Sequence, residues 1–296
     1  IRNQMNLSKV IIKLKNKKNI NYNKYLKSIG SLTEIEIIKH SYDLQAGSYI
    51  KQTTKNKFRT NKMCDEVVDI INHNFGKSKS FLDCGCGEMN ISSLIIKKLS
   101  SIKKFFLFDI SLNRMVTGRS FAKKTLKIKD FKKINFFCSS LDAIPLNDNS
   151  IDLVFTNHAI EPNKDNALEI IKELYRVANN GLLLNEPDFT TASKKQKKRM
   201  IENNYVKNIP KILKKLKINF KKKKLKWSIG DRNPTTCFVI LKKQSKKNKT
   251  VFLDPFYKKK IIKKKNYYFS KVLMQVYFIF KDIPIFDFKR PTIIDD

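Results

Sequence analysis

The clearest chemistry in the chain lies in Phe81-Leu-Asp-Cys-Gly-Cys-Gly-Glu-Met-Asn90. An apolar run leads into Asp83, then into Gly85 and Gly87, then into helix-forming residues. Glycines so spaced let a ligand press against backbone at the carboxyl end of a strand, where a Cβ would collide. A tight turn with no ligand would use the same residues. A pyrophosphate cradle wants G-x-G-x-x-G ahead of a helix N-terminus. Here Asn90 stands where its third glycine belongs, and Asp83 would face the phosphates. A carboxylate at this turn suits a ligand that carries positive charge. Asp109 follows at the tip of a second apolar run, placed to accept from both hydroxyls of a ribose. Ser111 can cap the next helix, which leaves Asp109 free for that task. His158, just after a later apolar run, is the candidate general base if a substrate must lose a proton. A loop histidine or a partner of Glu161 is the competing reading. Glu186 and Asp188, beyond the next run, are further candidates for holding a substrate.

Positioning these residues takes alternating strands and helices. Helical spacing over Met63–Phe75 ends near Gly76. Strands are expected at Ser80–Cys84, Phe105–Phe108, Asn135–Cys138, Ile151–Thr156 and Gly181–Asn185, and helices at Ile91–Leu99, Leu112–Lys123 and Asn166–Ala178. That alternation implies βαβ units, an α/β fold whose mainly parallel sheet has helices on both faces. Basic helical stretches are expected at Ser193–Asn208 and Lys211–Lys226, broken near Pro210, before a returning strand at Cys237–Leu241. Residues 1–60 read as an N-terminal helical segment and 61–243 as the main domain. Ser245–Lys249 reads as a linker, and 250–296 as a small, β-rich, aromatic C-terminal extension.

Composition limits the alternatives. The 296 residues can hold one full α/β domain and an appendage. No run reaches the roughly 20 apolar residues of a membrane span, and no signal-peptide pattern opens the chain. A soluble, cytoplasmic protein is expected. The five cysteines include no C-x-x-C and read as reduced thiols, and three histidines build no metal site alone, so no metal is expected. Net charge is +36, yet only 8 of the 62 basic residues are arginine. Lysine, isoleucine and asparagine abound together, as in proteins of AT-rich genomes. Solvated lysines set by composition and a surface selected for polyanions both fit, although phosphate binders favour arginine.

Phe81–Asn90 resembles the first motif of class I S-adenosylmethionine-dependent methyltransferases, and Phe108-Asp-Ile-Ser111 their second. Leu141–Pro145 with Asn149–Phe155 resembles the stretch around their fourth strand, and Glu173–Gly181 the helix and turn before their fifth. Four motifs in order cover residues 61–243 and are similar to the type 11 and ubiquinone/menaquinone-biosynthesis-like members. The resemblance implies a Rossmann-like sheet and S-adenosylmethionine as cofactor. It implies that Asp83, Gly85 and Gly87 face the methionine portion, Asp109 the ribose, Ser140 and Leu141 the adenine, and Asn157 the methyl group. Two positions depart from the pattern: Met89 replaces a third glycine, which should narrow or shift the turn, and Ser140 replaces an adenine-binding Asp. Ser41–Tyr49 resembles the segment that folds over the cofactor, with Tyr42 and Tyr49 available to stack there. Residues 254–284 resemble a methyltransferase-activator domain without its zinc cysteines. The acceptor is expected to be a small or medium molecule, such as a quinone, lipid or sugar-derived metabolite. RNA is the alternative, through the lysine-rich surface, and a non-catalytic binding module the second alternative. No Asn-Pro-Pro-Tyr-like motif follows the fourth strand, which counts against base amino groups as acceptors.

Overall fold

A computed structural model describes residues 14, 20–28, 30, 32–227, 235–243, 245–286 and 292–293. The ends of the expected N-terminal and C-terminal segments therefore lie partly outside the described residues. Among the described residues, helical Leu14 is followed by helices α1 (Tyr22–Ser28), α2 (Glu34–Leu44), α3 (Ser48–Lys55) and α4 (Lys57–Phe75). Then follow β1 (Ser80–Cys84), α5 (Asn90–Ile96), β2 (Lys104–Asp109), α6 (Leu112–Thr125), α7 (Ile128–Phe131), β3 (Ile134–Cys138) and β4 (Ile151–Asn157). The chain continues through α8 (Ala167–Val177), β5 (Ala178–Pro187), α9 (Lys194–Glu202), α10 (Ile209–Lys215), β6 (Lys221–Lys224) and β7 (Thr235–Leu241). Five short strands close it: β8 (Ile262–Lys263), β9 (Tyr267–Ser270), β10 (Gln275–Phe280), β11 (Ile283–Pro284) and β12 (Thr292–Ile293).

The large sheet runs β3-β2-β1-β4-β5-β7-β6. Strands β1 to β5 pair in parallel, while β7 is antiparallel to both β5 and β6. Strand pleating sends alternate residues to opposite faces. Phe81, Phe105, Leu107, Leu153 and Phe155 join Val67 and Ile71 of α4 and Ile95 of α5 in one core. Leu82, Cys84, Phe106, Phe108 and Val154 join Ile170 and Leu174 of α8 and Leu213 of α10 in the other. Burial on both faces explains why these strands read as nearly unbroken apolar runs. The order reverses between β1 and β4, so a crevice opens at their carboxyl ends, where α/β sheets bind ligands. The whole arrangement is an α/β, Rossmann-like fold.

Two expectations fail around the lysine runs. Helix α9 ends at Glu202, and Pro210 sits in the first turn of α10 rather than breaking a helix. An N-terminal position suits proline, since its missing N–H would be unpaired there anyway. Lys221–Lys224 extends as an exposed strand on the sheet's edge rather than as part of a second helix. Lysines on an edge strand discourage further pairing.

The tail forms a small antiparallel sheet against the β3 end of the large one. Phe286 donates its N–H to the Cys138 carbonyl at 2.9 Å, and its ring packs among Phe137, Phe252, Tyr268 and Tyr277. The expected linker is tied down, with Lys247 paired to Asp152 at 2.7 Å. All five cysteines are free and buried, as read from the sequence. Among the described residues no helix is long and apolar enough to cross a membrane, and no cluster of His, Cys, Asp and Glu is arranged to hold a metal.

Candidate active site

The crevice is floored by the turn after β1. Gly85 and Gly87 take positive φ, +73° and +56°. A Cβ on Gly85 would stand 2.5 Å from the Ala159 side chain, and one on Gly87 2.3 Å from the Arg114 guanidinium. Gly85 must therefore be glycine for steric as well as conformational reasons, while a side chain at Gly87 would be strained by its φ and would have to push the Arg114 guanidinium aside. Met89, in the third glycine's place, adopts the left-handed conformation itself, at φ 55°, fully buried. That costs about 1–2 kcal/mol, which burial of its side chain offsets.

Asp109 ties two turns together. One carboxylate oxygen accepts from the Gly87 N–H and the other from the Ser111 N–H, both at 2.9 Å. Ser111 does cap α6, accepting from the Arg114 N–H at 3.2 Å. Each Asp109 oxygen keeps a lone pair for a further donor. Asp83 differs. Oδ2 accepts from Ser92 at 2.6 Å, while Oδ1 is buried with no partner. Burial pushes its carboxyl up to about 7, against the Ser92 bond.

Arg114 was passed over in reading the sequence. Its guanidinium lies 4.7 Å from the Tyr42 ring and 4.5 Å from the Tyr49 ring, between two aromatic faces. Its Nε is buried without a hydrogen-bond partner, 4.0 Å from Glu88. Glu88 accepts from the Ile50 N–H at 2.9 Å, satisfying the start of α3, whose N-cap Gly47 offers no side chain. Asn90 bonds Thr53 on the same helix at 2.5 Å. The turn thus holds α3 over the crevice, and Tyr42 and Tyr49 cover it. Arginine is so scarce here that its presence at Arg114 was the available signal.

Three cavities adjoin this floor. Asp83, Gly85, Asn157 and His158 line one of about 190 Å³, with Arg114, Tyr42 and Tyr49. Gly85, Asp109, Ser140 and Leu141 line a narrow one of about 60 Å³, beside Phe108 and Ile110. Ser140 also borders a wider space of about 580 Å³, walled by α2 and by Phe256, Ile285 and Phe286 of the tail. Gly87 lines none of them and instead lies under Arg114.

His158 has both ring nitrogens engaged, Nδ1 with Glu161 and Nε2 with Thr235, each at 2.9 Å. Burial works against its proton, but the Glu161 carboxylate outweighs it and raises the pKa. Glu186 does not face a substrate. It accepts from the N–H groups of Ala159, Ile160 and Glu161 at 3.0–3.3 Å and so holds the loop that carries His158. Asp188 is likewise occupied, by Lys222 at 2.8 Å and by Thr190. Arg199 and Tyr205, which sequence reading passed over, reach the 190 Å³ cavity from the far wall.

Residues 75–250 match the family model described as a methyltransferase domain. No curated protein sequence matches the chain. Magnesium protoporphyrin IX methyltransferase of Synechocystis PCC 6803 superposes with a TM-score of 0.50 at 15% identity, over 62% of this chain and 84% of that one. A chain of a Haloferax volcanii complex containing the Trm112 methyltransferase activator gives 0.50 at 10% identity, over 66% and 94%. At these identities the structural likeness speaks for the fold. The family match spans more than half of the sequence, and with it the chain belongs to the methyltransferase-domain family, as an S-adenosylmethionine-dependent class I enzyme.

Proposed function

We propose that the enzyme transfers the methyl group of S-adenosylmethionine to a small or medium acceptor in the 190 Å³ cavity. The observation that carries this is the pair of unmatched buried polar atoms lining that cavity, Asp83 Oδ1 and Arg114 Nε. A carboxylate and a guanidinium together complement the ammonium and carboxylate of an amino-acid tail. When bound, the cofactor supplies an electrophilic methyl on a sulfonium. Asp109 offers its free lone pairs to the ribose hydroxyls, while Ser140 and Leu141 border the adenine beside Phe108. Asn157 stands at the methyl end, and Gly85 keeps the floor low enough for close approach. Tyr42 and Tyr49 exclude water, and the walls align the acceptor atom, which is most of what an in-line displacement needs. His158, already oriented by Glu161, accepts a proton where the acceptor has one to lose.

In this reading residues 61–243 bind cofactor, residues 1–60 cover it, and residues 250–296 act as a built-in activator-like domain that walls the adenosine side. RNA is a second reading for the acceptor, favoured by one observation: Lys194, Lys195 and Lys198 are exposed on α9, the helix that carries Arg199. Methyl-labelled S-adenosylmethionine incubated with separated metabolite and RNA fractions tests both. Label in the metabolite fraction is expected, and label confined to RNA would refute the small-acceptor reading.

A further inference from the structure

The far wall of the 190 Å³ cavity has no part in the cofactor roles above. Arg199 and Tyr205 form it, with Thr235 beside His158. Arg199 donates a hydrogen bond to the Tyr205 hydroxyl, and its Nε is buried without a partner. A guanidinium has five N–H donors in a planar fork, and a buried donor left unpaired is costly. Among the described residues the charged groups around the cavity can be matched one by one. Glu161 is taken by His158. Arg114, near Glu88 and Asp109, keeps a buried unbonded Nε that answers to the carboxylate of the cofactor. Asp83 answers to the ammonium of the cofactor. Arg199 is left over, and a sulfonium nearby adds a second positive charge.

The approach has the same sign. Lys194, Lys195, Lys197 and Lys198 share α9 with Arg199, against one acidic residue, Glu202. Lys197 and Lys207 stand over the ring of Phe189, at 5.4 and 5.9 Å. Such a field concentrates anions around α9, the helix that carries Arg199. A neutral acceptor would leave the buried Nε of the half-buried Arg199 unanswered.

We infer that the methyl acceptor carries one acidic group, a carboxylate or a phosphate monoester, and that Arg199 seats it in the 190 Å³ cavity. The inference rests on the methyl-transfer reading. A guanidinium fork binds either group through two parallel hydrogen bonds, which fixes orientation as well as position. That would turn the acceptor atom toward the Asn157 side of the cavity.

The test uses the full chain loaded with S-adenosylhomocysteine and labelled with ¹⁵N at arginine Nε. Eight side-chain signals are expected, and Arg199→Lys identifies one of them. Inorganic phosphate and benzoate are titrated separately, with chloride holding ionic strength constant. The Arg199 signal should shift and saturate with one of the two. Binding should be at least about tenfold weaker in Arg199→Gln, as expected for loss of a charge-assisted bond. A response to phosphate supports a phosphate monoester, and a response to benzoate a carboxylate. A signal that follows ionic strength alone, or equal binding in Arg199→Gln, overturns the inference while cofactor binding stands. Failure of calorimetry to detect S-adenosylhomocysteine binding overturns the underlying reading and this inference with it.

Discussion

Binding of S-adenosylhomocysteine should expel a proton from Asp83. The carboxyl has one bonded oxygen and one orphaned oxygen, is buried, and sits at about 7. At pH 6.5 about three quarters of it is protonated by that value. An ammonium beside Oδ1 favours the ionised form and brings the pKa back toward the ordinary value of about 4. Complex formation at pH 6.5 therefore releases about 0.7 proton per ligand. The sign is set by linkage. A carboxyl whose folded pKa is raised stabilises the ligand-free protein below its unfolded pKa, and that stability is lost as pH rises through about 7. Ligand affinity moves the other way. It should rise about tenfold per pH unit from about 5 to 7 and level off above. Calorimetry in two buffers of very different ionisation enthalpy reads the proton count directly. Asp83→Asn should abolish the buffer dependence and flatten the pH profile. Burial also pushes the Glu186 carboxyl up to about 7, and Glu161 raises the pKa of His158, so the Asn variant is what isolates the Asp83 contribution. Equal enthalpies in both buffers, or release that survives in Asp83→Asn, would refute the placement of the ammonium.

Asp109→Ala should weaken S-adenosylhomocysteine at least about tenfold, since charge-assisted bonds to the ribose are lost; unchanged affinity in a folded variant would leave Asp109 a purely structural tie. Arg114→Met should weaken S-adenosylhomocysteine by about tenfold yet spare 5′-methylthioadenosine, which lacks the amino-acid tail; equal losses for both would mean that Arg114 only shapes the pocket. Glu88→Ala should uncap α3 at a cost of about 1 kcal/mol, seen as faster amide exchange across Ser48–Lys55, and unaltered exchange would show that other contacts hold the helix. Metal analysis of the intact chain should find no stoichiometric zinc, because the five cysteines are dispersed in the core; one zinc per chain, lost on chelation together with the tail's fold, would contradict this.

Much of the fold was legible because its strands are buried on both faces and their apolar runs stand out between helical spacings. The turn was legible too, since Gly85 and Gly87 answer a steric demand that the backbone sets locally. What escaped depends on contacts far apart in sequence. Glu88 caps a helix 38 residues upstream of it, and Asp43 accepts from Ser111 across 68. Glu186 looked like a substrate ligand because it follows a strand into the crevice. Its real partners are three N–H groups of the Ala159–Glu161 loop, which no pattern of side chains announces. Lys221–Lys224 misled in another way: a run of lysines has helix propensity, and only pairing with β7 makes it a strand.

The contrast between arginine and lysine carries the remaining argument. Composition pushes basic positions toward lysine, so an arginine retained in the interior marks a place where a point charge would not serve. Arg176 shows the structural version. It reaches the carbonyls of Ile144 and Leu146 and the carboxylate of Asp148 from one guanidinium, also pairs with Glu173, and so fastens α8 to the loop before β4. Arg114 and Arg199 share the planar fork but not the full set of partners, since each keeps a buried Nε unbonded. Arg119 also keeps a buried Nε unbonded but pairs with Asp282 away from the crevice, so what sets Arg114 and Arg199 apart is that they line the 190 Å³ cavity. The lysines divide along the same line. Lys222 and Lys247 answer buried carboxylates, whereas Lys221, Lys223 and Lys224 lie along an exposed edge. Net charge therefore says little about what the enzyme methylates, and the two unanswered guanidiniums at the 190 Å³ cavity say more.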